Sequence, residues 1–184
     1  MNKRQMQFVI LCEDRVHEVF LRRFLNSFGF ETRKLSFFVA PPGQASAEQF
    51  VKLTYGQLLL EYRLRNPVFH RFLVMIDADT GTVRDRHQQL DAVAITVSIQ
   101  PRQTGEGIIH LVPKRNIETW IHRLFGQPAN EDDSYKLIYK KQNEREFCQP
   151  AAEALHALVL GNSDQPDLPS LSMGVIELRE KLVD

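Results

Sequence analysis

Five carboxylates in this sequence follow apolar runs, at positions where a buried strand would end. They are Glu13, Asp14, Asp77, Asp79 and Glu118. Like charges that lie close together repel and raise one another's pKa, so a protein tolerates such a group most easily when a cation binds to it. Oxygen ligands without His or Cys select Mg²⁺ or Mn²⁺. We therefore predict a divalent-metal site among these acids.

Each acid also has a plainer interpretation as a residue that stabilises a helix. An acid at a strand end often caps the next helix and interacts with its dipole, and Asp14 fits this interpretation as well as it fits metal binding. Glu118 falls in the first turn of a predicted helix, where a Glu is common. The pair Asp77 and Asp79 is harder to explain in this way, because two charges at the mouth of a buried strand cost stability unless something binds them.

Basic residues follow the same strand ends and would hold phosphate groups of a nucleic acid. The candidates are Arg15, Arg84, Lys114 and Arg115. Lys114 is the best placed of them to stabilise charge that develops in a transition state. Basic residues outnumber acidic ones over residues 1–130, and the reverse holds over residues 131–184. The first part of the chain is therefore compatible with a nucleic-acid surface.

The elements that must position these residues are short apolar runs that alternate with helical patterns. The runs are Phe8–Cys12, Leu35–Ala40, Phe72–Ile76 and Ile108–Val112. Uniformly apolar runs are typical of strands buried on both faces, and their alternation with helices predicts an α/β fold with a mostly parallel sheet of about four strands and helices on both faces. In such sheets ligands bind at the carboxyl ends of the strands, so we expect the acids to converge there.

The domain organisation predicted from these patterns is one α/β domain with a helical C-terminal extension packed on it. The α/β part covers residues 1–126 and the extension covers residues 127–184. Residues 131–147 are polar and at best helical, whereas 150–160 and 175–183 have the apolar spacing of helices.

Composition excludes several classes of protein. Of the 184 residues, 43% are hydrophobic and 25% charged, which excludes intrinsic disorder, and two cysteines cannot form a framework of disulfides. The sequence contains no run of about 20 apolar residues, the length that a membrane span requires. We expect a soluble, cytoplasmic protein without membrane contacts.

Three segments together resemble the TOPRIM family. They are Phe8–Phe24 (FVILCEDRVHEVFLRRF), Phe72–Thr82 (FLVMIDADTGT) and Ile108–Trp120 (IIHLVPKRNIETW). The motifs of the family occur in a fixed order. A strand is followed by Glu and a helix, a later strand is followed by Asp-x-Asp, and a further strand is followed by another acid. The likeness spans roughly residues 6–125. The third segment most resembles small bacterial TOPRIM-like proteins and the TOPRIM nuclease module of the overcoming-lysogenization-defect family.

The resemblance implies a TOPRIM, Rossmann-like fold and Mg²⁺- or Mn²⁺-dependent hydrolysis of phosphodiesters in DNA or RNA. It suggests Glu13, Asp77 and Asp79 as metal ligands or acid–base residues, Glu118 as a further ligand and Lys114 as an electrostatic helper. It also suggests a role in phage defence, with a separate ATPase as partner. Self-association into a homo-oligomer is compatible with the sequence.

Three other functions compete with the nuclease. A receiver-like phosphoacceptor domain would use Asp77 or Asp79, a hydroxyl at Thr96 or Ser98, and Lys114. A phosphatase of the haloacid-dehalogenase type would use the stretch Asp77–Thr82, although that motif normally opens its fold. A TOPRIM-shaped assembly module would keep the acids without catalysis.

Overall fold

The computed structural model describes residue 3 and residues 5–41, 46–65, 68–162 and 166–183. Its four strands form one sheet in which all neighbours are parallel, in the order β2-β1-β3-β4. The strands are β1 (Gln7–Cys12), β2 (Leu35–Val39), β3 (His70–Met75) and β4 (Ile108–Leu111). The predicted α/β class and the four-stranded parallel sheet are thus confirmed.

Seven α-helices accompany this sheet in the described part of the chain. They are α1 (Arg15–Ser27), α2 (Ala47–Leu64), α3 (Val83–Thr96), α4 (Ile117–Leu124), α5 (Lys136–Tyr139), α6 (Glu144–Val159) and α7 (Pro169–Leu182), with a 3-10 helix at Thr32–Lys34 before β2. Local signals set where several of them begin. The side chain of Asp14 accepts from the amide of His17 at the start of α1, and Thr82 and Asp85 form a reciprocal capping box at the start of α3.

Helices cover both faces of the sheet. Alternate side chains of each strand point to opposite faces, so each strand contributes to a core on either side. On one face, Ile10, Leu73 and Leu111 belong to a core shared with α1, α4, α6 and α7. On the other face, Leu11 and Val74 pack against α2 and α3. This two-sided burial explains why the strands read as continuous apolar runs rather than alternating ones.

The strand order creates a switch point between β1 and β3. From β1 the chain crosses to β2 on one side and then returns to β3 on the other, and Cys12 pairs in register with Met75. Loops that leave adjacent strands in opposite directions open a crevice at the carboxyl end of the sheet. Glu13 follows β1 and Asp77 follows β3, so both lie at this crevice.

The C-terminal helices extend further than the sequence pattern indicated. The helix expected at 150–160 begins at Glu144 and includes Pro150, and the helix expected at 175–183 begins at Pro169. Leu155 and Leu171 lie in the same core as the strands, so the residues after 126 cover one face of the sheet. Among the described residues, no helix is long and apolar enough to cross a membrane.

Candidate functional site

Glu13 and Asp77 are in direct contact at the switch point. The backbone amide of Asp77 donates a hydrogen bond of 2.7 Å to Oε2 of Glu13, and both side chains are buried. Burial and the neighbouring Asp77 carboxylate raise the pKa of Glu13 to about 7. The sequence thus brings together two acids that are 64 positions apart, as the parallel-sheet argument predicted.

His17 completes the buried cluster, although the sequence analysis assigned it no role. Its Nε2 lies 3.0 Å from Oδ1 of Asp77, and the ring is fully buried. Nδ1 lies 3.0 Å from Oδ1 of Asp14, an ion-pair distance, and the same oxygen also accepts a hydrogen bond from the backbone amide of His17. Burial opposes a charge on the ring, but the Asp77 and Asp14 carboxylates outweigh it and raise the pKa of His17 well above its ordinary value. His17 is therefore the cation between two acids.

Asp14 is a helix cap in this structure. Burial alone would raise its pKa, but His17 overrides that effect and holds the pKa of Asp14 far below its ordinary value. The plainer interpretation of Asp14 from the sequence thus describes its backbone role, while its charge stabilises the protonated His17.

Glu118 lies in the first turn of α4, and its side chain is buried. Its Oε2 is buried and has no hydrogen-bond partner within the described part of the chain. Burial, followed by the charge of Asp77, raises the pKa of Glu118. A carboxylate oxygen left without a partner in the interior is costly, and a cation at this position would remove that cost.

Asp79 lies at the rim of the site. Its side chain is 52% exposed, with a guanidinium nitrogen of Arg86 at 3.7 Å, and its backbone adopts a left-handed φ of 54°. Among the described residues, the ligand atoms that fall within 4.8 Å of one another belong to Glu13, His17 and Asp77. The structure therefore places two of the four expected ligands in one tight group, Glu118 in the buried surroundings of Asp77, and Asp79 outside the group.

Among the described residues, the lysine that forms an ion pair with the acids is Lys136, not Lys114. Lys136 is on α5, and its Nζ lies 3.8 Å from Oδ2 of Asp77. Partial burial disfavours its charge, but Asp77 and Glu118 outweigh this and raise the pKa of Lys136. Lys114 is half-buried, its backbone amide donates to Oγ of Ser170, and in the described chain it forms no ion pair with the site.

The three predicted nucleic-acid-binding arginines differ in their surroundings. Arg15 forms ion pairs with Glu18 at 2.7 Å and with Glu144 at 3.7 Å, and Arg84 is exposed on α3. Arg115 is half-buried, and its Nε has no hydrogen-bond partner among the residues that the structure describes. Of these, Arg115 is nearest in the chain to Glu118 and has a donor left for a ligand.

A cavity of about 380 Å³ adjoins the cluster, lined by Glu118 and by Lys136 and Lys140 of the C-terminal part of the chain. The cavity combines acidic oxygens with ammonium groups. Acidic oxygens can hold a cation that binds a phosphate, and ammonium groups can bind the same phosphate directly.

Two of the residues in this site had no assigned role in the sequence analysis. His17 follows Glu13 by four positions, which places it in the first turn of α1 on the side of the strand end. This spacing was the available signal that His17 lies near the acids. Lys136 lies in the segment 131–147, whose polar pattern gave no indication that it returns to the sheet edge.

No protein-family model, curated protein or solved structure matches this chain. The resemblance to the TOPRIM family therefore stays a prediction that rests on the motifs alone.

Proposed function

We propose that this protein is a TOPRIM-type, Mg²⁺- or Mn²⁺-dependent nuclease that hydrolyses phosphodiesters of DNA or RNA. The observation that carries the proposal is the contact between Glu13 and Asp77 at the switch point of a parallel sheet, with the buried Glu118 nearby. This is the part of such a sheet in which ligands bind.

The charge of the site supports a bound cation. Four carboxylates, those of Glu13, Asp14, Asp77 and Glu118, interact with two cationic side chains of the described residues, His17 and Lys136. When all four acids are ionised, negative charge remains in a largely buried space, which is unfavourable in a low-dielectric environment. A divalent ion would neutralise this charge, and oxygen donors favour Mg²⁺ or Mn²⁺.

Individual oxygen atoms are left for such an ion. Oε2 of Glu13 accepts the amide of Asp77, which leaves Oε1. Oδ1 of Asp77 faces His17, which leaves Oδ2 on the side of Lys136. Together with Oε2 of Glu118, which has no hydrogen-bond partner among the described residues, these atoms would be the ligands, and Asp79 would contact the ion through water from the rim.

A bound Mg²⁺ would act as a Lewis acid that polarises a phosphoryl oxygen and lowers the pKa of water. The side chains have complementary tasks. The pKa of Glu13 is about 7 in the metal-free protein, and a bound divalent ion would favour the ionised form in which Glu13 acts as a ligand. His17 orients Asp77, Lys136 stabilises negative charge on the phosphate, and Lys114 and Arg115 would bind the backbone of the nucleic acid.

A receiver-like function is the second candidate, because the contact between Lys136 and Asp77 has the form of a lysine beside a phosphoacceptor aspartate. Two observations weigh against it. Oδ1 of Asp77 is already paired with His17, and Thr96 and Ser98 end α3 rather than follow a strand. Under this alternative, acetyl phosphate would label the protein, and Asp77→Ala would abolish the labelling without any cleavage activity in the wild type.

The proposal is tested by incubating the purified full chain with plasmid DNA, single-stranded DNA and RNA, in Mg²⁺ or Mn²⁺ and in EDTA. We expect metal-dependent cleavage that Glu13→Gln and Asp77→Asn each reduce at least about 100-fold. Glu146→Gln, an exposed acid in the first turn of α6, is the matched control and should cleave like the wild type.

Metal binding without cleavage of any of the three substrates would contradict the nuclease and favour the assembly module. If cleavage appears only when an ATPase is added, the nuclease is supported and the suggested partner with it.

A further inference from the structure

A pair of histidines lies at the edge strand β4 and shares no residue with the acidic site. His110 is in β4 and His87 is on α3, and their Nδ1 atoms are 3.4 Å apart. The two rings face a pocket of about 210 Å³ between α3, β4 and α7. We propose that His87 and His110 together bind a borderline transition-metal ion, such as Zn²⁺, in this pocket.

The separation of the two nitrogens supports the proposal. Zn²⁺ binds imidazole nitrogen at 2.0–2.1 Å with tetrahedral geometry, so two such nitrogens on one ion lie about 3.4 Å apart. The observed 3.4 Å equals this value and is longer than an ordinary N–H···O hydrogen bond. His87 is only half-buried, so its ring can turn until its lone pair is directed at the same point as that of His110.

The hydrogen bond on the far side of His110 favours the metal-binding form of this ring. Nε2 of His110 lies 3.1 Å from the hydroxyl of Tyr55, in a buried contact. When Nε2 carries the proton and donates it to Tyr55, Nδ1 is left with a free lone pair towards His87 and the pocket. Histidine ligands usually have such a partner on the second nitrogen, because it fixes the tautomer and the ring orientation.

Burial opposes a positive charge on both rings, and the neutral imidazole is the form that binds metal. Burial, followed by the charge of Arg102, lowers the pKa of His110 well below its ordinary value and lowers that of His87 as well. The positive charge of Arg102 is itself countered by Glu177, whose Oε1 also accepts the backbone amide of His110 at 3.1 Å.

Glu180 would be the third ligand after a change of its side-chain rotamer, because its carboxylate does not lie within 4.8 Å of both ring nitrogens. It lies on α7 in the wall of the same pocket, is exposed, and has no ion pair among the residues that the structure describes. Glu177 is less suitable because Arg102 and the β4 backbone already engage it. Two imidazoles and one carboxylate favour Zn²⁺, Co²⁺ or Ni²⁺ over Mg²⁺, in contrast to the all-oxygen ligands of the acidic site. Such an ion would tie α3 and α7 to the edge strand.

The test is titration of Zn²⁺ into the chelator-treated, dialysed full chain by isothermal calorimetry. His87→Gln should raise the Kd of one Zn²⁺ site at least about tenfold, since even the loss of a residue that only supports a ligand costs about 10–100-fold. The matched control is His70→Gln, a partly exposed histidine of β3, which should leave this binding unchanged. Asp77→Asn removes a ligand of the acidic site, so Zn²⁺ binding that this variant loses is assigned to the acidic site and not to the histidine pair.

Two further measurements keep the proposal open to refutation if His87→Gln is poorly folded. Tyr55→Phe keeps the buried ring and should weaken the same Zn²⁺ site, and pulsed EPR of the Cu²⁺-loaded chain should detect two imidazole ligands. The proposal would be overturned if Zn²⁺ binding were unchanged in both His87→Gln and Tyr55→Phe. It would also be overturned if Zn²⁺ binding were lost completely in Asp77→Asn alone.

Discussion

Replacing Glu13 by Gln should make the metal-free protein more stable at pH 8 while removing its metal-dependent chemistry. Gln has nearly the shape of Glu, and its amide oxygen would still accept the backbone amide of Asp77, which lies 2.7 Å from Oε2. The substitution therefore removes a buried negative charge and preserves the hydrogen bond. In the wild type this charge lies beside Asp77 and is largely cut off from solvent.

The magnitude follows from the pKa of Glu13, which is about 7 in the folded protein against an ordinary value of 4.5. Between these two values the folded state binds more protons than the unfolded state, so stability falls as the pH rises through this window. Since one pKa unit corresponds to 1.36 kcal/mol, ionised Glu13 costs about 3 kcal/mol above pH 7 and nothing below pH 4.5. Glu13→Gln should recover most of this energy at pH 8, roughly 6 to 12 °C in Tm for a chain of this size.

The assay is thermal and urea denaturation of the wild type and Glu13→Gln between pH 5 and pH 8 in EDTA. The advantage of the variant should be largest at pH 8 and should nearly vanish at pH 5. Glu146→Gln, at an exposed position, should show no such advantage at either pH. Saturating Mg²⁺ should stabilise the wild type and reduce the difference, because an ion that binds only the folded state adds to its stability. A variant less stable than the wild type at pH 8, or an advantage equal at both pH values, would refute the reasoning.

Three further predictions concern the surroundings of the site. His17→Gln should lower the free energy of unfolding at pH 7 by about 3 kcal/mol in urea titrations, because it leaves Asp77 without its buried cation; no measurable loss would show that the ion pair contributes nothing net. Lys136→Met should lower the cleavage rate at least about tenfold and Lys136→Arg should restore part of it, while the half-exposed position keeps the change in Tm small; equal rates for all three proteins would exclude a role for this cation. Gly174→Ala should destabilise the protein by about 1–3 kcal/mol, because the added Cβ would lie 2.6 Å from the buried ring of Trp120; an unchanged Tm would mean that the ring moves aside freely.

The sheet was predictable from the sequence because its strands are buried on both faces. Continuous apolar runs such as Phe72–Ile76 leave few alternatives, and their alternation with helices specifies parallel pairing. The placement of Glu13 and Asp77 at the same edge of the sheet followed from that topology, since carboxyl ends of parallel strands share one edge. The order of the strands, which puts β1 beside β3, required the structure.

The rest of the site depends on packing that local patterns do not encode. Lys136 reaches Asp77 because the short helix α5, between α4 and α6, brings it to the sheet edge, and the largely polar segment around it gave no sign of this. The early start of α7 did have a local signal, because proline favours the first turn of a helix and Pro169 occupies it. Pro150, in contrast, lies inside α6, where the buried face of the helix outweighs the hydrogen bond that proline cannot make.

Crystals of the full chain soaked in Mn²⁺ would test the central claim most directly, through the anomalous scattering of the ion. We predict an anomalous peak about 2.0 to 2.3 Å from carboxylate oxygens of Glu13 and Asp77, with Glu118 turned towards it, and no peak in Asp77→Asn crystals treated in the same way. The account would be contradicted if Mn²⁺ bound elsewhere in the crystal at full occupancy but gave no peak between the two acids, while His17 and Lys136 remained paired to Asp77.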